Sequence, residues 1–497
     1  MEVGFGLYDW IIFASYIGIL LFASFVLSNK NMATSKEFFV ASNAMPMYAV
    51  ALSLLATAQS AATFLGAPEF SYRYDLTLLG FSITSLLAIY IVSKVLIPRF
   101  YAINALSVYE LLKGRYDESA SRSAGIMFLV GRVFASGARL YIAALALSMI
   151  IFYDVSLPSM ILSVLILIVG ALIFTYFGGV KSVIYSDIIQ IVVYLGAGLA
   201  VVFYLYSSLN MDMGTLYTSL SDADKLKFVD FELSFSNEGK FNIFALLTGY
   251  MLLNVAAFGL DQDLTQRVLS CKNEKEAKIS LYGATLLSIP VSILFLSIGL
   301  LLFLYYQEHE ISQKFEGESV TIFMYYILNE MPEGLKGFVT VGAIAAALSS
   351  TNSVLGAMSS VAIEDIYKPK VLKQNPDADE MHFVKMAKIM VLVFALALSV
   401  MAILSYIVHS MSDVPLISFA LGVMAYAYSG LLGVFGAAIF TKRGNSRLVP
   451  FALAGGFLSV LSMQGYTFGL DIGFAWQLVI GTAVSFLIMM LKKDKYE

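Results

Sequence analysis

The sequence predicts an all-α membrane protein that crosses the bilayer many times. Of its 497 residues, 59% are hydrophobic and only 13% are charged, whereas a soluble protein carries about 25% charged residues. Apolar segments of about 20 residues, the length that spans a bilayer, recur along the whole chain. No stretch between them is long and polar enough to form a separate soluble domain. Together these observations exclude every broad class of soluble protein.

Thirteen apolar segments are expected to form membrane-spanning helices. The first begins without basic residues, and no small-residue cleavage pattern follows it. It is therefore expected to be a retained helix and not a signal peptide. In chain order the segments cover approximately 7–29, 45–69, 75–98, 123–151, 157–178, 183–207, 241–265, 280–306, 337–363, 386–408, 414–441, 448–464 and 472–491.

Lysine and arginine are concentrated in the loops that follow the odd-numbered segments, for example Lys113, Arg115 and Lys442. The positive-inside rule places these loops in the cytoplasm. The prediction is a multi-pass protein of the plasma or inner membrane, with its N-terminus outside and its C-terminus inside. The longest outer loops, 208–240 and 308–336, are expected to hold short helices, with Thr321 to Leu328 as one candidate.

Few ionisable residues lie within the predicted spans. They are Arg132 and Arg139 in the fourth span, Asp187 in the sixth, and Asp261 and Asp263 near the end of the seventh. A charge at such a position costs about 2.5–3.5 kcal/mol on insertion scales, so each marks a functional candidate. The structural alternative is a salt bridge inside the helix bundle.

A run of polar side chains, Ser349 to Ser353, interrupts the uncharged segment between Gly337 and Ile363. Ser349, Asn352 and Ser353 share one face of a helix because they are spaced i, i+3 and i+4. A row of neutral oxygens at this depth suits a hard cation such as sodium. Close helix packing by small polar residues is the alternative explanation.

Two spans read as interrupted helices. The second has small and polar residues from Leu54 to Gly66, and the seventh has glycines and Asn254 between Gly249 and Gly259. Interruptions at matching places in two halves point to a transporter binding site, and two halves of five spans make an inverted repeat. The predicted division is 1–44, an extra helix and loop; 45–208, the first repeat; 209–240, an outer loop; 241–441, the second repeat; and 442–497, two further helices and a short cytoplasmic tail.

Four motifs resemble the sodium/solute symporter family, which includes bacterial carriers for galactose, proline and sialic acid. They are the run from Ala56 to Phe64, the run from Gly178 to Gln190, the run from Asp261 to Arg267, and the run from Ala345 to Tyr367. The resemblance extends from about residue 7 to residue 441. It implies the five-plus-five inverted-repeat fold of the LeuT type, with flanking helices.

The resemblance also implies sodium sites. The shared site of the family would use the backbone carbonyls of Ala56, Gln59 and Ala346 and the hydroxyls of Ser349 and Ser350. The sialic acid carriers have a further sodium site, and this chain has Asn352 where those carriers have serine. The matching residues here are Asp187, Ser349, Asn352 and Ser353.

The implied substrate site lies between the second, third, fourth and seventh spans. Ser60 and Thr63 match hydroxyls that touch substrate in the sialic acid carriers, and Arg132 matches the arginine that holds the substrate carboxylate. A guanidinium has the right shape for a bidentate bond to a carboxylate. Ser82 stands where those carriers have glutamine, and the seventh span contributes Asn254 and Phe258.

The predicted function is sodium-coupled import of a small organic solute by alternating access, with sialic acid or another carboxylate preferred. Sodium-coupled transport of a sugar, polyol or amino acid is the alternative, and a proton-coupled carrier ranks below it.

A membrane enzyme is not expected because the three histidines are scattered. The single Cys271 excludes an internal disulfide and a cysteine-built metal site. Sodium ions, the solute and the bilayer are the expected partners; no cofactor or nucleic acid is expected, and a monomer is expected to function alone.

Overall fold

A computed structural model describes residues 5–27, 34–236, 241–309, 322–410, 416–464, 468 and 470–492. Within these ranges, seven helices are long and apolar enough to cross a membrane, or nine if each of two bent pairs is one span. Four shorter apolar helices occupy the remaining predicted segments. The spans are Leu7–Leu27; Met47–Ala58 with Ala61–Arg73; Leu79–Val95; Glu118–Phe152; Leu157–Leu209, which comprises the fifth and sixth spans; Ile243–Gly259 with Gln262–Leu269; Glu274–Glu308; Leu335–Val361; Glu380–His409; Leu416–Phe440; Val449–Ser462; and Phe474–Met490.

The two long loops that are predicted to be outer contain short helices, as the sequence predicts. The first loop holds Met213–Asp222 and the second holds Ile322–Asn329. Thr321, the first residue of the predicted helix in the second loop, lies outside the described residues. Lys225 ties the first of these loops to the second span, because its ammonium donates to the carbonyls of Tyr72 and Tyr74 at 2.6 and 2.8 Å.

The second span is broken where the sequence predicts an interruption. Its two halves, Met47–Ala58 and Ala61–Arg73, meet at 58°. Gln59 and Ser60 between them have extended backbone angles. The last carbonyls of one half and the first N–H groups of the other therefore lack intrahelical partners in the bundle interior.

The seventh span is also broken, but later than the sequence predicts. The sequence predicts the interruption between Gly249 and Gly259, whereas the span bends by 49° at Leu260 and Asp261. The Asp261 carboxylate accepts the Asp263 N–H at 2.9 Å and so caps the following helix. Gly249 serves close packing, since a Cβ there would lie 2.1 Å from the Ala475 carbonyl oxygen.

The ninth span, Leu335–Val361, runs through the centre of the bundle and packs along the sixth span. Gly342 allows this approach, since a Cβ there would lie 2.4 Å from that of Ala197. The buried Asp9 connects the first helix to the start of the ninth span through hydrogen bonds. Its Oδ1 accepts the N–H groups of Gly334 and Gly337 at 2.8 and 2.7 Å.

Candidate substrate cavity and sodium sites

A cavity of about 140 Å³ lies beside the break in the second span. The six predicted substrate-binding residues, which come from four different spans, all line it. Their contact with a substrate stays a prediction. The cavity is also lined by residues that the sequence did not single out, on the eighth span and on Leu416–Phe440. The predicted residues are Ser60, Thr63, Ser82, Arg132, Asn254 and Phe258, and the additional ones include Thr285, Ser288, Ser292, Met424 and Tyr428.

The polar side chains that line the cavity differ in whether they already make hydrogen bonds within the protein. Ser82 Oγ and Ser292 Oγ are 2.7 Å apart and bond to each other. The Asn254 amide donates to the Phe81 carbonyl at 3.3 Å. In the described part of the chain, the hydroxyls of Ser60 and Thr63 have no hydrogen-bond partner. The hydroxyls without a partner therefore both belong to the second span and lie at or next to its break.

Arg132 reaches the cavity but is held by two buried aspartates. Its Nη2 lies 2.6 Å from Asp261 Oδ1 and 3.2 Å from Asp263 Oδ2. The Tyr428 hydroxyl donates to the other oxygen of Asp261. The carboxylate-binding role of Arg132 stays a prediction; its Nη1 is buried without a hydrogen-bond partner and could donate to a ligand while both ion pairs stay closed.

The ion pairs continue from Arg132 to the sixth span. Asp263 Oδ1 is 3.0 Å from Arg267 Nη1, and Arg267 Nη2 is 3.1 Å from Asp187 Oδ2. All five side chains are buried. These two arginines and three aspartates form an ion-pair network with a formal charge of −1. These residues thus form the salt bridges that the sequence offers as the structural alternative; which residues pair could not be predicted, because partners such as Arg132 and Asp261 lie 129 residues apart.

Asp187 lies beside Ser349, as the predicted second sodium site requires. Ser349 Oγ donates to Asp187 Oδ1 at 2.7 Å, and Ser53 Oγ donates to Oδ2. Ser353 instead donates to the Ser350 carbonyl at 3.0 Å. The Asn352 side chain is fully buried, and neither its amide nitrogen nor its oxygen has a hydrogen-bond partner.

The residues of the predicted first sodium site lie at the break of the second span and on the ninth span, and these two spans are in contact. The first half-helix ends with the Gln59 N–H bonded to the Leu55 carbonyl at 2.9 Å. Within the described ranges, no hydrogen bond reaches the carbonyls of Ala56 and Gln59. Ser350 Oγ donates to the Ala346 carbonyl at 3.1 Å and still has oxygen lone pairs to offer. Carbonyl and hydroxyl oxygens of this kind suit sodium.

A second cavity, of about 10 Å³, separates this break from the ninth span. That volume is about the size needed for one water molecule. Ser60 and Ala61 line it on one side, Ser350 and Thr351 on the other. Arg139, on the fourth span, lines both this small cavity and the larger one.

Comparison with known proteins agrees with this architecture. The family model described as "Sodium:solute symporter family" matches residues 38–459. The sodium/sialic acid symporter of Proteus mirabilis is 27% identical over 482 residues, covering 96% of this chain and 93% of that protein. The sodium-coupled monocarboxylate transporter 1 of Mus musculus is 28% identical over 488 residues, covering 95% and 74%.

Solved structures extend the agreement to the fold. The substrate-bound, outward-open structure of a Na⁺-coupled sialic acid symporter superimposes with a TM-score of 0.82 at 24% identity, covering 99% of both chains. Mhp1, a nucleobase-cation symporter, gives 0.53 at 13% identity, covering 93% of this chain and 94% of that one. These likenesses confirm the predicted all-helical, LeuT-type fold. The chain thus belongs to the sodium:solute symporter family, and it is a multi-pass, sodium-coupled solute symporter and not an enzyme.

Proposed function

We propose that the chain imports a small organic carboxylate together with sodium. The main support for this proposal is the cavity at the break of the second span, which is lined by two arginines and by hydroxyls without hydrogen-bond partners. An arginine at the wall of a membrane-depth cavity is well suited to binding an anionic group. The relatives named for sialic acid and for monocarboxylates support the same class of substrate. Sialic acid is one candidate within this class.

The first sodium ion is proposed to bind between the broken second span and the ninth span. Its ligands would be the carbonyls of Ala56, Gln59 and Ala346 and the hydroxyls of Ser349 and Ser350. The free carbonyls at the break support this assignment. An ion there would hold the two spans together and so order the neighbouring substrate cavity.

A second sodium ion is proposed at Asp187, with Ser349, Asn352 and Ser353. Two observations support it. The ion-pair network that includes Asp187 carries a surplus negative charge, and the buried Asn352 amide has no hydrogen-bond partner. A buried polar group without a partner costs about 1–3 kcal/mol, and an ion or water at Asn352 would remove that cost. Sodium would have to share Asp187 with Arg267.

The second ion matters physically for an anionic substrate. A monoanion that moves with one sodium carries no net charge and gains nothing from the membrane potential. With two sodium ions, one net charge moves inward, which is worth about 2.3 kcal/mol per 100 mV. This direction follows the proposed orientation, in which the basic loops are cytoplasmic and residues 45–208 and 241–441 form the two repeats.

Uptake into proteoliposomes tests the proposed function. Labelled sialic acid, a small monocarboxylate, galactose and proline are compared under an inward sodium gradient, a choline gradient and a proton gradient. We expect uptake of at least one carboxylate only with sodium. Carboxylate uptake that persists without sodium would contradict the proposal. Sodium-driven uptake of galactose alone, or of proline alone, would contradict an anionic substrate, since proline is a zwitterion without net charge.

A further inference from the structure

Arg139 is the cavity-lining arginine without an anionic partner among the described residues. Its Nη2 lies 3.2 Å from the thioether sulfur of Met424, a weak acceptor. The carboxylates of Asp261 and Asp263 are paired with Arg132, and that of Asp187 is paired with Arg267. The charge of Arg139 is therefore available to a ligand, whereas the charge of Arg132 is largely compensated.

The groups around Arg139 also suit an anion. Ser60 and Ser136 line the small cavity with it, and in the described part of the chain their hydroxyls make no hydrogen bond. The helix Ala61–Arg73 begins at the same place, and the Ser60 side chain does not cap it. Its first N–H groups and its dipole favour a negative charge at this end.

Arg139 also lies close to the proposed first sodium site. Ser350, one of the proposed ligands, lines the same small cavity as Arg139. A sodium ion and an uncompensated guanidinium repel each other at this depth, where water screens charges poorly. A carboxylate bound between them would attract both and remove the repulsion.

We infer that Arg139, and not Arg132, is the main partner of the substrate's anionic group, and that this contact makes sodium and anion binding cooperative. The inference rests on the proposed carboxylate function. Without substrate, Arg139 opposes sodium binding; with substrate, the carboxylate joins the two cations. Arg132 is a positioning residue, which holds Asp261 and Asp263 at the break of the seventh span.

The test compares Arg139→Gln with Arg139→Lys and with Arg122→Gln, which makes the same change at an exposed position on the same helix. Sodium affinity without substrate is measured by thermal shift on purified protein, with choline chloride holding ionic strength constant. KM is measured by proteoliposome uptake for a carboxylate and for its neutral methyl ester.

Arg139→Gln is expected to raise the KM for the carboxylate at least tenfold and to abolish the preference for it over the ester. The same variant is expected to bind sodium more tightly than wild type when substrate is absent, because a repulsive charge is gone. Arg139→Lys should keep the wild-type sodium affinity but raise the KM, since an ammonium cannot form the bidentate bond. Arg122→Gln should match wild type in both measurements.

The outcomes separate the inference from the proposed function. If wild-type protein transports no carboxylate, the proposed function fails before any variant is considered. If wild type transports a carboxylate and Arg139→Gln keeps the wild-type KM and sodium affinity, the inference alone is overturned. Should Arg139→Gln fail to fold, Arg139→Lys decides: an unchanged carboxylate KM overturns the inference.

Discussion

At the scale of single residues, the neutral oxygens and the charged groups at the centre of the bundle differ in the hydrogen bonds and ion pairs that they already make. Ser350 and the carbonyls at the second-span break offer oxygens without formal charge. Asp187 is already bonded to Ser53, Ser349 and Arg267. The first proposed sodium site is therefore more open to an arriving ion, while the second requires an existing ion pair to rearrange.

Ser350→Ala removes one proposed ligand of the first sodium ion and leaves the backbone carbonyls in place. We expect the sodium concentration for half-maximal uptake to rise roughly tenfold, which corresponds to about 1.4 kcal/mol. Ser360→Ala is the matched control, because it removes a buried hydroxyl without a hydrogen-bond partner at the far end of the same helix. Unchanged sodium dependence in Ser350→Ala would refute the assignment of this site.

The residue scale is also where the sequence was least informative. It indicated that Arg132, Asp187 and Asp261 were candidates, because charges are rare in membrane spans. It could not indicate which charges pair, since Arg267 and Asp187 lie 80 residues apart and no local pattern connects them. The contrast between a compensated Arg132 and an uncompensated Arg139 therefore became visible only in three dimensions.

At the scale of helices, one backbone position separates the fifth span from the sixth. Gly179 has φ of 58° and ψ of −171°, inside an otherwise continuous helical stretch. This region of backbone space is open to glycine almost alone. The conformation starts the sixth span in the direction that brings Asp187 to Ser349 and Arg267.

Gly179→Ala is expected to destabilise the protein by about 1–3 kcal/mol, the usual cost of such backbone strain. The matched control is Gly114→Ala, since a Cβ there meets no atom within 4 Å and the backbone is helical. Thermal unfolding in detergent measures both variants, and we expect a lower midpoint for Gly179→Ala only. Equal midpoints would show that the sixth span can begin without this conformation.

Helix positions were predicted well and helix breaks less well. All thirteen segments coincide with helices because a long apolar run has few other stable forms in a bilayer. The break at Gln59 and Ser60 was predicted from small and polar residues. The break at Leu260 and Asp261 was misplaced because it depends on side-chain capping by Asp261 and on the Tyr109 hydroxyl, which bonds to the Leu260 carbonyl at 3.0 Å. Neither contact has a periodic signal in the sequence.

At the scale of the whole molecule, the arrangement of charge is proposed to link ion binding to substrate binding. The buried ion-pair network from Arg132 to Asp187 has a surplus negative charge, which favours a cation. Arg139, about two turns along the same helix from Arg132, has no anionic partner among the described residues and favours an anion. In the proposed cycle, the cation and the anion each meet a buried group of opposite charge before the transporter changes conformation.

This balance leads to a prediction about voltage. If two sodium ions accompany one monoanion, each cycle moves one net positive charge inward. An inside-negative potential of 100 mV then supplies about 2.3 kcal/mol per cycle. Because a tenfold concentration ratio corresponds to about 1.4 kcal/mol, this potential should raise carboxylate accumulation about 40-fold. Potassium gradients with valinomycin set the potential in proteoliposomes, and the ratio of internal to external carboxylate gives the accumulation. If this ratio does not change with the membrane potential, one sodium ion moves with each monoanion. The proposed site at Asp187, Asn352 and Ser353 would then not bind a transported ion.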